Sequence, residues 1–353
     1  MGDSLRILHV DAGRDWRGGQ RQVLLLARYQ REHGHEPVVA APPDSPLIQR
    51  VRAAGLAASA MRVRAEWDLA AVRRLRAITR TWRPDIVHAH DARAHAIALA
   101  ALVGRREIPL IVTRRVTFVP KGRVKYGARV ARFIAISRAV RDALQRGGVP
   151  VERIDVVYSG VPAPEVRHRR DWRSECRWPA DSVVCGVVGA MTEEKGVAIL
   201  TDIAQGLTTD ARQLARIVLL GGTAAGLTAI GGVPAYRAGF VDAVHDAMAG
   251  LDLLWHPSSA EGLGTAVIDA MALGVTPIAF AVGGLPELIE PEQSGILVSP
   301  GDVDGFAREA SRLIVDSDAR ARLAIHGRDR ASRFSVQQMA EGTLATYRRV
   351  LAS

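Results

Sequence analysis

Short apolar runs alternate with amphipathic helical segments along the chain, and this alternation restricts the fold more than any other feature of the sequence. The first half opens with the run Arg6–Val10, a glycine loop and a helical pattern, and the second half repeats this order from Val183–Val188 onward. Strands that alternate with helices form parallel sheets, because each helix returns the chain to the start of the next parallel strand. The pattern predicts an α/β protein with two doubly wound, Rossmann-like domains whose parallel sheets face a central cleft.

A proline-rich piece followed by a charged run divides the chain. The sequence SGVPAPEV occupies residues 159–166, and the charged run His168–Arg173 follows it. With 353 residues, the chain is long enough for two domains of ~150–180 residues each. We predict domains over residues 1–165 and 166–335. The amphipathic C-terminal helix, about 336–353, is expected to pack back on the first domain.

The composition limits the partners and the location of the protein. The formal charge of +10 predicts an anionic partner. A basic helix over residues 68–83 either contacts a membrane surface or an anionic acceptor, or is an ordinary solvated face. We expect no nucleic acid, because no aromatic residues interleave with the basic ones. No apolar run reaches the ~18 residues of a membrane span and the N-terminus lacks a basic leader. We therefore expect a cytoplasmic protein with peripheral contact at the cytoplasmic face of the inner membrane.

The stretch Pro257–Pro286 combines a carboxylate, a glycine turn and a helix in an order that can bind a ligand. Glu261 comes first, the turn Gly262, Leu263, Gly264 and Thr265 follows, and Asp269 lies about one turn into the helical pattern. Helix N-termini attract anions, so a phosphate or a polarised sugar hydroxyl would suit this position. The alternative is an ordinary strand–loop–helix unit of an α/β domain.

Two candidate positions in the first half follow predicted strands. Gly18 and Gly19 lie at the turn into the first helix, where backbone N–H groups could meet a pyrophosphate, although a plain turn explains them equally well. Their spacing is not G-x-G-x-x-G, which counts against a dinucleotide site. His90 ends the strand DIVHA-H, and ligands of open α/β sheets gather at the carboxyl ends of strands.

Three cations also follow predicted strands. Lys195 stands at a strand–loop–helix junction of the second half, and a compact ammonium binds phosphate as a point charge. Arg114 and Arg115 follow the strand over residues 110–113 and form either an anion clamp or a solvated basic pair.

The two cysteines, Cys176 and Cys185, lack the spacing of a metal site, and no metal is expected.

Taken together, these motifs resemble the family 4 glycosyltransferases of the two-domain GT-B fold, over nearly the whole chain. In the second half, the resemblance is carried by VVGAMTEEKGVAIL, which is similar to the family's GR…KG element, and by HPSSAEGLGTAVIDAMALGVTPIAFAVGGLPELI, which is similar to its E-x7-E block with the trailing GG-x-PE. In the first half and at the hinge, WRGGQRQVLLLARYQREHGHE, DIVHAH and SGVP resemble the family's glycine loop, H-x-H strand end and NGV turn. The pattern TRRV followed by AISRAVRDAL resembles bacterial transferases that build lipopolysaccharide or other envelope glycans.

The resemblance implies a retaining transfer of a sugar from a UDP- or GDP-linked donor to an acceptor hydroxyl, without a metal or another cofactor. The acceptor would be a lipid-linked or glycan molecule, anionic in character, bound by the first domain, and the second domain would bind the donor. By the resemblance, the diphosphate is held by Lys195, the helix start at Gly264 and the Gly18–Gly19 turn. Glu261 orients the donor sugar, and Asp269 takes the position that binds the ribose. His90 contacts the sugar or the acceptor, and the backbone at Phe240 and Val241 faces the base.

The sequence departs from the family pattern at two positions. Asp269 stands where the second glutamate is usual, and Ala190 stands where an arginine of the diphosphate clamp is common. We therefore expect Arg114 or Arg115 to supply the missing cation from the first domain. A sugar-nucleotide epimerase of the same fold and a non-catalytic nucleotide-sugar-binding partner of a glycan-assembly complex remain alternatives, and a nicotinamide-dependent oxidoreductase ranks behind both.

Overall fold

The computed structural model describes residues 4–66, 68–122 and 125–352. The chain forms two compact units, the first made of the residues up to Gly160 and from Val336 on, the second of Val161–Ser335. The division thus comes slightly before the predicted boundary at 165. The reason is that Val161 already belongs to the second unit, where its N–H donates to the carbonyl of Phe334 at 2.9 Å.

The first unit is built on a parallel sheet. Its strands are β1 (Arg6–Val10), β2 (Glu36–Ala41), β3 (Ala57–Ala60), β4 (Ile86–Ala89), β5 (Leu110–Arg114), β6 (Val130–Ala135) and β7 (Ile154–Val156). Among the described residues, these seven strands run in the order β3-β2-β1-β4-β5-β6-β7, with every pairing parallel. Because β1, β4 and β5 are neighbours, the loops that follow them lie side by side at one edge of the sheet.

Helices connect the strands of the first unit. They are α1 (Gly18–Glu32), α2 (Pro46–Ala53), α3 (Leu69–Trp82), α4 (Ala92–Ala101) and α5 (Arg138–Arg146). The basic helix predicted over residues 68–83 is α3, and its start is fixed by Asp68, whose side chain accepts from the N–H groups of Ala70 and Ala71. Arg73 and Arg80 on α3 are exposed, whereas Leu75 and Ile78 are buried.

The second unit contains a mixed sheet. Its strands are β8 (Val183–Val188), β9 (Ala215–Ile230), β10 (Val233–Gly239), β11 (Leu253–His256), β12 (Thr276–Phe280) and β13 (Ile296–Val298). Among the described residues, they run in the order β10-β9-β8-β11-β12-β13, and every pairing is parallel except that of β9 with β10. Strand β9 extends to Ile230, and Gly231 and Gly232, both with positive φ, turn the chain into the antiparallel strand β10.

The helices of the second unit cover its sheet, and the last helix of the chain returns to the first unit. The second-unit helices are α6 (Trp172–Cys176), α7 (Leu200–Gln205), α8 (Thr209–Leu214), α9 (Val244–Ala249), α10 (Thr265–Leu273), α11 (Leu285–Leu288), α12 (Val303–Val315) and α13 (Ser317–Ala331). Helix α14 (Val336–Leu351) packs on the first unit, where Leu344 and Tyr347 share a buried core with Leu26 and Ile7. None of the helices in the described residues has the length and apolar composition that crossing a bilayer requires.

Candidate active site

The carboxylate of Glu261 is the centre of a polar cluster in the second unit. Its Oε2 atom accepts hydrogen bonds from Lys195 Nζ and from His256 Nε2, the latter at 3.1 Å. The Glu261 side chain is 14% exposed, that of Lys195 is 27% exposed and that of His256 only 3%. The Oε1 atom of Glu261 has no hydrogen-bond partner among the described residues, so this oxygen is available to a ligand.

The surroundings of Glu261 keep its carboxyl ionised. Burial alone would raise its pKa, but the hydrogen bond from His256 and the charges of His256 and Lys195 outweigh burial and lower the pKa to about 2. A carboxylate with such a low pKa is a weak base near neutral pH. Glu261 is therefore suited to accept hydrogen bonds from hydroxyl groups rather than to remove protons from them.

The sheet topology explains why Lys195 and Glu261 meet. Strands β8 and β11 are parallel neighbours, so the loops after them lie together. The two loops are joined by the N–H of Ser259, which donates to the carbonyl of Glu194 at 3.0 Å. A third loop packs against the same point, because a Cβ atom on Gly283, whose φ is +54°, would lie 1.6 Å from the carbonyl oxygen of Glu261. Only glycine fits at this close approach.

Helix α10 begins directly beside this cluster. Gly264 precedes its first residue, Thr265, and no described side chain caps the helix start, so the N–H groups of Thr265 and Ala266 can donate to an anion. Gly262 is half-buried and Leu263 is buried. The predicted glycine turn, the helix start and the Lys195–Glu261 pair therefore lie at one place in the second unit.

Asp269 is almost completely buried within α10. Its side chain is 5% exposed and accepts a hydrogen bond from His245 Nε2 at 3.1 Å. His245 lies on α9, which follows the turn that contains Phe240 and Val241. Phe240 is 61% exposed and Val241 is half-buried. The predicted ribose position is thus linked through His245 to the segment predicted to face the base.

In the first unit, the structure brings together three of the predicted residues. The Nη2 atom of Arg115 donates to His90 Nδ1 at 3.4 Å. A Cβ atom on Gly19 would lie 3.4 Å from Cδ of Arg115, so the glycine turn touches the arginine side chain. Gly18 is exposed at the start of α1, which no described side chain caps. His90 is only 3% exposed and lines a small pocket together with Arg115.

The two arginines predicted as a clamp are separated. Arg114 donates to the hydroxyl of Tyr126 at 2.8 Å and to the carbonyl of Phe118, so it holds its own loop. Successive residues of an extended chain point to opposite sides, which explains why Arg115 alone reaches His90. Burial lowers the pKa of Arg115 to about 10, although the nearby carboxylates of Asp11 and Asp91 act in the opposite direction.

Sequence reasoning missed the two carboxylates that surround Arg115 and the histidine that binds Glu261. Asp91 accepts from the N–H of Ala12 at 2.6 Å and caps α4. Asp11 is 1% exposed, and burial together with repulsion from Asp91 raises its pKa to about 6. Asp11 directly follows β1, and Asp91 is the second residue after β4, positions that could have identified both carboxylates. His256 ends the apolar run LDLLWH, and no local pattern distinguishes it from a core histidine.

Comparisons with known proteins agree with this arrangement. Residues 16–163 match the Glycosyltransferase Family 4 model, and residues 182–316 match the model named Glycosyl transferases group 1, so that the two matches cover most of the chain. The chain is 28% identical to the 2-deoxystreptamine N-acetyl-D-glucosaminyltransferase of Streptomyces fradiae, over 85% of this chain and 83% of that protein. It is 27% identical to the putative teichuronic acid biosynthesis glycosyltransferase TuaC of Bacillus subtilis, over 65% of this chain and 61% of that protein.

The fold matches solved structures along its length. The crystal structure of Anabaena Alr3699/HepE in complex with UDP and glucose superposes with a TM-score of 0.83, at 20% identity, over 98% of this chain and 100% of that one. This agreement confirms the predicted α/β fold with two Rossmann-like domains. The chain belongs to the family 4 glycosyltransferases of the GT-B fold, enzymes that transfer sugars from nucleotide-sugar donors.

Proposed function

We propose that this enzyme transfers a sugar from a nucleotide-diphosphate sugar with retention of the anomeric configuration and without a metal, and that its donor site is the Glu261 cluster of the second unit. The observation that carries the proposal is the ion pair of Lys195 with a partly buried, ionised carboxylate beside the start of α10. Because HepE was crystallised with UDP and with UDP-glucose, UDP-linked donors are the first to test, and GDP-linked donors are the second.

The two residues of the ion pair would bind different parts of the donor. Oε1 of Glu261 accepts a hydroxyl of the donor sugar, while the remaining N–H bonds of Lys195 and the first-turn N–H groups of α10 face the diphosphate. These groups supply fixed positive charge where the departing diphosphate gains negative charge. A divalent metal would otherwise stabilise the diphosphate in this way. Metal independence rests on this argument.

Retention is supported by the weak basicity of the predicted site residues. The pKa of Glu261 is about 2, and burial together with the charges of His88, His9 and Arg115 lowers the pKa of His90 well below its usual value. Neither group suits the role of a general base, which works best when its pKa is close to the operating pH. In the proposed reaction, the bond from the acceptor oxygen to the sugar forms, the bond from the sugar to the diphosphate breaks, and the acceptor proton passes to a departing phosphate oxygen.

Asp11 is the alternative base that an inverting reaction would use, since its pKa is about 6. Its carboxylate, however, is 1% exposed and already accepts from the N–H of Gly13 at 2.8 Å and from Gln20 Nε2. These contacts favour a structural role for Asp11. The configuration of the product separates the two reactions.

The proposed acceptor is an anionic, lipid-linked or glycan precursor of the cell envelope. The net charge of +10 and the exposed arginines of α3 favour an anionic partner, and TuaC provides a relative named for teichuronic acid biosynthesis. Exposed apolar side chains at Phe118 and Val119 are compatible with peripheral contact with a membrane surface.

The proposal is tested by incubating the full-length enzyme with UDP- and GDP-sugars, with and without lipid-linked glycan acceptors, in the presence of EDTA. Mass spectrometry detects the product, and the coupling constant of its anomeric proton reports the configuration. We expect acceptor-dependent transfer with retention that EDTA does not reduce. An inverted product would refute retention, acceptor-independent conversion of the donor would indicate an epimerase, and binding without turnover would indicate a non-catalytic partner.

A further inference from the structure

A continuous chain of buried hydrogen bonds runs from Arg115 into the core of the first unit. Arg115 Nη2 contacts His90 Nδ1 at 3.4 Å, His90 Nε2 contacts His9 Nδ1 at 2.9 Å, and His9 Nε2 contacts Gln30 Oε1 at 2.7 Å. His9 and Gln30 are 0% exposed, so neither can exchange its partner for water. The transfer reaction described above makes no use of His9 or Gln30.

The two ends of this chain determine where its protons lie. A guanidinium group can only donate hydrogen bonds, so His90 Nδ1 must accept from Arg115 and its proton must be on Nε2. At the other end, an amide oxygen can only accept, so the proton of His9 must also be on Nε2, which leaves His9 Nδ1 to accept from His90. Both ends therefore require the same direction of donation, from Arg115 through the two histidines to Gln30.

The histidines of this region are spaced closely enough to hold a metal, but their hydrogen bonds argue against one. Ligand atoms of His9, His88 and His90 lie within 4.8 Å of one another. Each of their ring nitrogens already has a hydrogen-bond partner, since His88 contacts the hydroxyl of Tyr347 at 2.6 Å and that of Thr113 at 2.7 Å. A metal would have to displace several of these contacts beside a guanidinium charge.

The neutral state that this chain requires is favoured by burial. Burial lowers the pKa of His9 to about 4, although its hydrogen bond to Gln30 acts in the opposite direction. Burial also lowers the pKa of His90 well below its usual value, and the charges of His88, His9 and Arg115 add to the effect. Both rings are therefore neutral near pH 7, with one proton each.

We propose that Gln30 and His9 are positioning residues that hold the proton of His90 on Nε2, so that His90 Nδ1 remains a hydrogen-bond acceptor when Arg115 turns toward an anionic substrate. The role of Arg115 in this statement rests on the proposed function and on the expectation that this arginine supplies a cation to the diphosphate. While Arg115 contacts His90, the direction of hydrogen-bond donation is fixed from both ends of the chain. Once Arg115 binds a phosphate, only Gln30 fixes this direction, and His90 Nδ1 then accepts a hydrogen bond from a hydroxyl of the sugar or of the acceptor.

The full-length protein, labelled with 15N in its histidine rings, allows this proposal to be tested by long-range proton–nitrogen spectra, which identify the nitrogen that carries each proton. Arg115→Met imitates the departure of the guanidinium from His90. In the wild type and in Arg115→Met, we expect His90 Nδ1 to keep the chemical shift of an unprotonated nitrogen. In Arg115→Met combined with Gln30→Leu, we expect the two ring nitrogens of His90 to move toward a common, averaged shift.

The matched control combines Arg115→Met with Thr113→Val, which removes the buried hydrogen bond at 2.7 Å between the hydroxyl of Thr113 and the neighbouring His88 and leaves Gln30 in place. We expect His90 to keep its tautomer in this variant, while the ring signals of His88 change. A proton on His90 Nδ1 in the wild type, or an averaged His90 ring in Arg115→Met alone, would overturn the proposal, and these two proteins suffice if the Gln30→Leu variant does not fold. An unchanged His90 ring in the Arg115→Met, Gln30→Leu variant would also overturn it. The spectra require no substrate, so this inference can fail or stand independently of the proposed function.

Discussion

The ion pair of Lys195 with Glu261 offers a sharp test of the donor site, because its two ends are proposed to bind different parts of the donor. In the proposed site, Lys195 faces the diphosphate, whereas Oε1 of Glu261 faces the sugar. Lys195→Met removes the ammonium and keeps most of the aliphatic stem, and Glu261→Gln removes the negative charge and keeps the shape. UDP contains the diphosphate without the sugar, so the two variants should affect its binding in different directions.

The size of the effect follows from the contacts. A hydrogen bond to a charged group contributes about 1.5–3 kcal/mol, so Lys195→Met should raise the Kd of UDP about 10- to 100-fold. The pKa of Glu261 falls from 4.5 to about 2, which corresponds to about 3 kcal/mol of favourable interaction with His256 and Lys195, net of burial. Glu261→Gln releases Lys195 from this strong partner and removes a charge that repels phosphate, so the Kd of UDP should stay the same or fall.

Isothermal titration calorimetry with UDP and UDP-glucose measures these effects. Glu261→Gln should lose affinity for UDP-glucose relative to UDP, because the weakened contact with the sugar affects only the donor that carries a sugar. The matched control is Lys125→Met, which breaks a lysine–glutamate pair with Glu66 in the first unit and should leave the Kd of UDP unchanged. The reasoning is refuted if Lys195→Met binds UDP within about threefold of the wild type, or if Glu261→Gln weakens UDP as much as Lys195→Met does.

Three further predictions concern the first and second units. Gly283→Ala places a Cβ atom 1.6 Å from the carbonyl oxygen of Glu261 and should lower stability by about 1–3 kcal/mol and reduce turnover, and an unchanged Tm would contradict the close packing of these loops. The folded-state pKa of Glu261 is depressed, so its stabilising effect is present above its unfolded pKa of 4.5 and disappears as the pH falls toward about 2. The Tm difference between wild type and Glu261→Gln should accordingly shrink over this range, and a constant difference would contradict it. The pKa of Asp11 is raised from 3.8 to about 6, so stability contributed by its protonated form is lost as the pH rises through this interval. As the pH rises through this interval, the Tm of Asp11→Asn should therefore rise relative to the Tm of the wild type. A Tm of Asp11→Asn that falls relative to the wild type over the same interval would refute the raised pKa.

The order of strands, loops and helices places Lys195 and Glu261 in loops that follow two predicted strands, although it does not predict their ion pair. Lys195 and Glu261 follow two apolar runs, and residues at the carboxyl ends of parallel strands meet when the strands are neighbours. That β8 and β11 are neighbours follows from the topology of a doubly wound sheet rather than from either segment alone. The helix Thr265–Leu273 was predicted with the bounds that the structure has, because its apolar spacing and the preceding glycine both mark its start.

The remaining features depend on contacts that sequence patterns do not encode. Gly221, Gly222 and Gly226 have a weak preference for strands, yet they lie within β9, where pairing with β10 overrides this preference. The short strand Ala57–Ala60 consists of small residues and carries no strand pattern of its own. Which of Arg114 and Arg115 faces His90 depends on the local direction of the chain after β5. The contact of His256 with Glu261 joins the last residue of β11 to the loop that follows it, and no motif connects the two residues.

A crystal structure of the enzyme with UDP tests the central claim most directly, because it locates the diphosphate. We predict that phosphate oxygens lie within hydrogen-bond distance, about 2.7–3.2 Å, of Lys195 Nζ and of the N–H groups at the start of α10. We also predict that Oε1 of Glu261 has no contact with the phosphates and remains available for the sugar. A diphosphate bound away from Lys195 and Thr265, or no bound UDP at concentrations that saturate the protein in calorimetry, would contradict the assignment of the donor site.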